Sequence, residues 1–292
     1  MKLSQRTATK HHHILLFGPP KSGKSLLAGK LSSHKNLLWF DLEGGHNVLF
    51  QLPPEQQERI ELIDLPDTRG YPIAIETMLK VIRGNRVDIC EKHGKVSCAI
   101  CKKDSSSFVT VELNALDSDT VVVVDSLTQL TNSAIAHITK NQPEDYKLEY
   151  DDWGNLGKLM DTFLSYVQQA PFSIICISHE TEVDMVDGKA KIVPTAGTRN
   201  FSRNTAKYFD EVFYCEVRNK KHVVGSSTTY ANNILTGSRS GQVTEGDSEA
   251  SLVPIFTGER IIPQPDKVAP SPAQKALTAL ERLQQKTSGA QK

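Results

Sequence analysis

The stretch Gly18-Pro19-Pro20-Lys21-Ser22-Gly23-Lys24-Ser25 satisfies G-x-x-x-x-G-K-[ST] at every required position. These residue types at this spacing suit phosphate chemistry. A glycine-rich turn running into a helix aims several backbone N–H groups and the positive end of the helix dipole at one point. Lys24 would reach the β- and γ-phosphates, and the Ser25 hydroxyl would ligate Mg²⁺. All eight residues are therefore assigned to ATP with Mg²⁺. The bland alternative is a Gly/Pro turn between unrelated elements.

Asp125 closes the β-branched run Thr120-Val121-Val122-Val123-Val124, 100 residues after Ser25. A second Mg²⁺-orienting group belongs at such a strand end, although a carboxylate there also suits a helix N-cap. Many phosphate-loop ATPases carry a catalytic glutamate immediately after this aspartate, but here Ser126 follows. A water-activating carboxylate must then come from elsewhere. Glu43 is the candidate, because it leaves the sheet at the end of the strand after the phosphate-loop helix. The competing reading is a plain surface carboxylate.

A further constellation is Cys90-x2-His93-x4-Cys98-x2-Cys101. Four soft or borderline ligands in two close pairs match tetrahedral Zn²⁺ as a Cys3His set. All four positions are filled, so the role would be structural, folding an insert with almost no core of its own. Reduced, unliganded thiols are the alternative. Residues 83–103 hold six Lys/Arg against Asp88 and Glu91, so the insert is basic and would either contact nucleic acid or present a solvated face.

The elements that must position these groups follow from hydrophobic patterning. Residues 13–17 read as a buried strand entering the phosphate loop, and 25–31 as a helix with Leu27 and Leu31 on one face. Further strands are expected at 36–42, 59–64, 108–113, 120–125 and 172–178, with helices from Pro72 to about residue 83 and over 153–169 behind Asp152 as N-cap. Asp187-Gly188 between two alternating runs marks a hairpin over 182–193. Residues 203–209 read as helical, and 211–217, 228–235 and 251–256 as late strands around a Gly/Ser-rich loop at 237–250. Strands alternating with helices predict an α/β fold with a mostly parallel central sheet flanked by helices. The organisation is a mobile basic arm (1–12), an ATPase domain (13–261) carrying the knuckle insert (84–107) and the hairpin, and a Pro-rich linker with a short helix at 272–286 (262–292).

Taken in order, Trp39-Phe40-Asp41-Leu42-Glu43 and Val123-Val124-Asp125-Ser126-Leu127 resemble the RecA/RadA recombinase core. Adding Asp41-Leu42-Glu43-Gly44-Gly45, Asp125-Ser126-Leu127-Thr128, Ile177-Ser178-His179-Glu180 and residues 194–210, the chain is similar to the short phage-encoded RecA-like single-strand annealing proteins of the Sak type. The resemblance spans roughly residues 13–217. It implies a RecA-like ATPase acting in DNA recombination or annealing, with Glu43 polarising the attacking water and Lys24 neutralising charge. It places His179 as γ-phosphate sensor, where RecA usually carries Gln; a strand-end cap is the alternative. It also puts single-stranded DNA on the loops at about 128–150 and 180–200, and implies homo-oligomers with sites completed across subunit boundaries. Arg199, Arg203 and Lys207 are the candidates for DNA or trans-acting contacts, against a role in capping the 203–209 helix.

The formal net charge is zero, so nucleic-acid affinity must come from local patches. No apolar run approaches a membrane span and no secretory h-region is present, which predicts a cytoplasmic protein, in a bacterial host if phage-encoded. Two competing functions share the phosphate loop. One is a non-hydrolysing ATP switch that recruits a single-strand-binding protein through the 272–286 helix. The other is a small-molecule kinase, which needs an arginine-rich lid that the sequence does not show.

Overall fold

The computed structural model describes residues 11–68, 71–104, 107–184, 190–218, 221–225, 233–239, 247–249 and 251–258. The basic arm up to residue 10, the hairpin tip at 185–189 and the C-terminal linker and helix lie outside them. In chain order the elements begin with β1 (His13–Gly18), α1 (Lys24–Lys30), β2 (Asn36–Asp41), α2 (Pro54–Gln57), β3 (Ile60–Asp64) and α3 (Ile73–Val81). The insert follows as β4 (Val87–Cys90), α4 (Ala99–Lys103) and β5 (Phe108–Val111). Then come β6 (Thr120–Asp125), α5 (Leu127–Thr139), α6 (Tyr150–Gln169), β7 (Ser173–Asp184), β8 (Ala190–Pro194) and α7 (Arg199–Ser202). The last are β9 (Glu211–Arg218), β10 (Lys221–Gly225), β11 (Gly237–Ser238), β12 (Asp247–Glu249) and α8 (Val253–Thr257).

The main sheet runs β12-β10-β9-β1-β7-β6-β2-β3. From β9 to β3 all neighbours are parallel, while β10, β11 and β12 pair antiparallel at one margin. This is the α/β arrangement with a mostly parallel central sheet expected from the sequence, with β7 inserted between the phosphate-loop strand and the strand ending in Asp125. Alternation along each strand feeds two cores. Leu15, Phe17, Phe40 and Val124 pack with α3, α5 and α6 on one face; Ile14, Leu16, Trp39 and Val123 pack with Leu27, Ala28 and Ile255 on the other. No helix among the described residues is long and apolar enough to cross a membrane.

Several local expectations are corrected. Residues 127–139 form helix α5, so the loop expected over 128–150 shrinks to the stretch between α5 and α6. Helix α6 starts earlier than expected: Glu149 is its N-cap, and Asp152 sits at the third helical position, closing a capping box in which the Glu149 N–H donates to Asp152 Oδ2 at 2.8 Å. The strand expected at 108–113 is shorter, Phe108–Val111, and pairs antiparallel with β4 apart from the main sheet. The single helix expected over 203–209 is a short α7 followed by a 3₁₀ turn at Thr205–Tyr208. A strand not expected falls at Lys221–Gly225, most of the strand expected at 228–235 lies outside the described residues, and 253–257 is helical, with Pro254 in its first turn. The hairpin forms as predicted, with Glu180–Asp184 antiparallel to 190–194.

Candidate functional site

Parallel strands bring their C-terminal ends to one edge, and the register makes those ends level. Gly18 pairs with His179, Asp125 with Ile177, and Asp41 with both Asp125 and Asp64. A cleft of about 370 Å³ opens along this edge, lined among others by Lys24, Ser25, Glu43, Asp125, Ser126, His179 and His222.

The phosphate loop has the backbone its glycines require. Gly18 (φ 151°) packs so closely on β9 that a Cβ would lie 2.1 Å from the Cys215 carbonyl oxygen. Gly23 (φ 90°) and Lys21 (φ 63°) complete the turn, with Pro19 half-buried and Pro20 exposed. Lys24 folds back over it, donating from Nζ to the carbonyls of Gly18 (3.0 Å) and Pro19 (2.8 Å), with Ser22 Oγ at 3.4 Å. Burial lowers the Lys24 pKa, opposed by Asp125 and Glu43 among its acidic neighbours.

Ser25 Oγ donates to Asp125 Oδ2 at 2.8 Å, joining two hard oxygen donors assigned to Mg²⁺ from sequence. Burial raises the Asp125 carboxyl to about 7, outweighing the Ser25 hydrogen bond. A buried carboxylate beside a hydroxyl at the nucleotide cleft fits a Mg²⁺ that keeps its waters and phosphate ligands. The two protein groups would hold the ion, which supplies charge neutralisation.

Glu43 reaches the cleft from the loop after β2. Its Oε1 accepts a short hydrogen bond from Ser126 Oγ, and its Oε2 lies 3.5 Å from His179 Nε2. The His179 contact, followed by Ser126 and Lys24, holds the carboxyl below its ordinary pKa against the opposing effect of burial. His179 is set by its backbone: its N–H donates to Thr128 Oγ1 at 2.9 Å, and its carbonyl accepts from Thr195 N–H at 2.8 Å. Its Nδ1 is buried without a partner among the described residues. Phosphate loop, Asp125, Glu43 and His179 thus share one cleft.

Three supporting residues, Asp41, Ser126 and His222, carry no role in the sequence motifs. The Asp41 carboxylate, fully buried, accepts the backbone N–H groups of Glu43, Gly44, Gly45 and His46 at 2.8–3.1 Å, which shapes the loop that carries Glu43. An acid at a strand end followed by Gly-Gly is the available sequence signal for such a turn. Ser126 is both the N-cap of α5, accepting from Gln129 N–H at 3.2 Å, and a donor to Glu43. His222 touches the phosphate loop from β10, and no sequence pattern announces it.

The knuckle ligands also converge. One ligand atom from each of Cys90, His93, Cys98 and Cys101 lies within 4.8 Å of the others, with His93 Nδ1 3.1 Å from Cys101 Sγ and 3.6 Å from Cys98 Sγ. Tetrahedral zinc with Zn–S near 2.3 Å calls for ligand separations of about 3.8 Å, so the set fits. The Cys101 backbone N–H holds the Cys98 thiol below its ordinary pKa. The insert is seated on the domain: Thr77 Oγ1 donates to the Gly94 carbonyl at 2.7 Å, and Lys95 Nζ lies 3.3 Å above the Tyr71 ring.

The basic candidates stay outside the cleft. Arg203 donates from its guanidinium to the carbonyl of Asp184, the last β7 residue before the hairpin tip, a contact that occupies it structurally. Arg199 and Lys207 are exposed on α7 and the following 3₁₀ turn, and Lys207 Nζ lies 4.6 Å from the Tyr208 ring centre.

A family model described as an AAA domain matches residues 10–240. No curated protein matches the chain. Among solved structures, the KaiC-like protein PH0186 from the hyperthermophilic archaeon Pyrococcus horikoshii OT3 is similar at 11% identity and a TM-score of 0.36, covering 73% of this chain and 77% of that one. By the family match, the chain belongs to the AAA domain family, whose phosphate loop binds ATP.

Proposed function

We propose that this AAA-domain chain is a RecA-like ATPase that hydrolyses ATP with Glu43 as the base and responds to single-stranded DNA. The observation that carries hydrolysis is the Glu43 carboxylate, held by Ser126 and His179 in the cleft formed by the phosphate loop. An ionised carboxylate there takes the proton of the water that attacks the γ-phosphorus. Lys24 neutralises charge developing on the departing ADP, since positioning and charge stabilisation carry most of phosphoryl transfer. Glu43→Gln is expected to lower kcat by at least about 100-fold, the scale of a lost general base, with ATP still bound. Hydrolysis at the parental rate would place the base elsewhere.

The DNA response is supported by connectivity. The β7–β8 hairpin grows directly from the strand that ends the cleft at His179, and its return strand brings the Thr195 N–H back to the His179 carbonyl. A strand of DNA on the hairpin would therefore pull on the residue that holds Glu43. The role in recombination or annealing, and the likeness to phage-encoded Sak-type proteins, rest on the order of motifs. A second copy of the chain would complete the site, because no arginine among the described residues lines the cleft. Measuring ATP turnover with and without single-stranded DNA tests this reading. Equal rates remove the DNA dependence, no turnover favours the switch, and turnover only with an acceptor favours the kinase.

A further inference from the structure

The phosphate loop is gripped from the side by the antiparallel margin of the sheet. On β9 the Cys215 carbonyl occupies the space where a Gly18 side chain would be; on β10 the His222 ring does the same at Gly23, where a Cβ would lie 2.6 Å from its Nδ1. His222 stands 200 positions from Ser22, yet its Nδ1 lies 2.9 Å from the Ser22 carbonyl oxygen. A carbonyl only accepts, so this nitrogen carries the hydrogen and donates.

The peptide joining Ser22 to Gly23 is therefore held by its oxygen. In a planar trans peptide the C=O and N–H point in opposite directions. Anchoring the Ser22 carbonyl on His222 turns the Gly23 N–H away from β10, toward the inside of the loop. Glycine at 23 leaves this peptide free to rotate, because both signs of φ are open to it. Rotated over, it would present a carbonyl oxygen to the phosphates, and repulsion would replace a hydrogen bond.

We infer that His222 is a positioning residue for ATP binding, which fixes the Ser22–Gly23 peptide in its anion-binding orientation. It acts through the loop and belongs to neither the base nor the metal site. The inference rests on the loop taking ATP.

The test compares full-length His222→Ala, His222→Asn and His222→Gln for ATP affinity, for kcat and KM, and for melting temperature without nucleotide. An Asn side-chain amide stands where Nδ1 stands, whereas a Gln amide reaches the position of the other ring nitrogen. Loss of one hydrogen bond of ordinary strength predicts about tenfold weaker ATP binding and higher KM in His222→Ala, with kcat and the nucleotide-free melting temperature unchanged. His222→Asn should recover affinity to within about threefold of the parent, and His222→Gln should not. Parental affinity in His222→Ala overturns the inference. So does an Asn variant as weak as Ala, or a fall in melting temperature shared by Ala and Asn. If His222→Ala does not fold, the Asn-against-Gln comparison decides. A parent chain that binds no ATP would overturn the ATP reading itself, which separates the two failures.

Discussion

Ser126 and His179 show how little of a side chain's task is carried by its type. Ser126 follows Asp125 where a catalytic glutamate stands in many phosphate-loop ATPases, and its hydroxyl instead caps α5 and donates to the glutamate from β2. His179 makes the largest contribution to the lowered Glu43 pKa, ahead of Ser126, with burial opposing. The sign follows from that order. The carboxylate stays ionised below the ordinary value of 4.5, and the stability linked to it is present above that value and lost as pH falls through the depressed one. In His179→Ala the strongest stabiliser of the ionised form is gone, so the acid limb of kcat/KM should move to higher pH. A pH–rate profile from 4 to 8 checks this; an unmoved limb would mean that Glu43 does not rely on His179. Asp125 was legible from sequence as the carboxylate that ends β6, and Glu43 as a carboxylate leaving the sheet just beyond β2. The Asp41 turn and His222 were not, since each acts through backbone groups that pattern does not encode.

At the level of elements, what the sequence concealed is α5 and what it displayed is the knuckle. Residues 127–139 are rich in Thr, Ser and Asn, poor helix formers that hide the spacing of Leu127, Leu130 and Ala134. The helix forms because that face is buried between α3 and α6 and because Ser126 caps it, so tertiary packing overrides propensity. The knuckle is the reverse case, with ligand spacing that is informative and almost no periodicity. Cys90, Cys98 and Cys101 form a separate buried cluster with Phe108 as its packed neighbour, too small to be a core by itself. Ile89 of β4 and Val111 of β5 belong to the main core, so metal should supply the folding energy of the knuckle between the strands, α4 included. Purified protein is expected to carry one zinc per chain, and chelation should selectively expose the backbone amides of 91–104 to hydrogen exchange while those of β1 and β6 stay protected. Absence of zinc from reduced protein, or exchange unchanged by chelation, would return the cysteines to plain thiols.

For the whole molecule, the parallel strands explain why groups scattered from residue 18 to residue 179 meet at one edge, and strands alternating with helices made the parallel sheet, though not the order of its strands, legible in advance. The antiparallel margin was less legible, because β10 and β11 are short and their register depends on β9 rather than on patterning of their own. The same edge carries β7 onward into the hairpin and then into α7, leaving Arg199 and Lys207 exposed while Arg203 braces the far end of the hairpin at Asp184. If single-stranded DNA lies along this side, those two cations meet phosphates and Arg203 does not. Each phosphate contact on a single strand contributes about 0.7 to the slope of log affinity against log salt. The Arg199→Ala, Lys207→Ala double variant should then bind single-stranded DNA more weakly at low salt and show a slope reduced by about 1.4. Its ATP affinity without DNA should match the parent, because neither side chain lines the cleft. Fluorescence anisotropy across a salt series measures the slope, and a parental slope in the double variant would place the DNA on another face, with the basic knuckle the next surface to test.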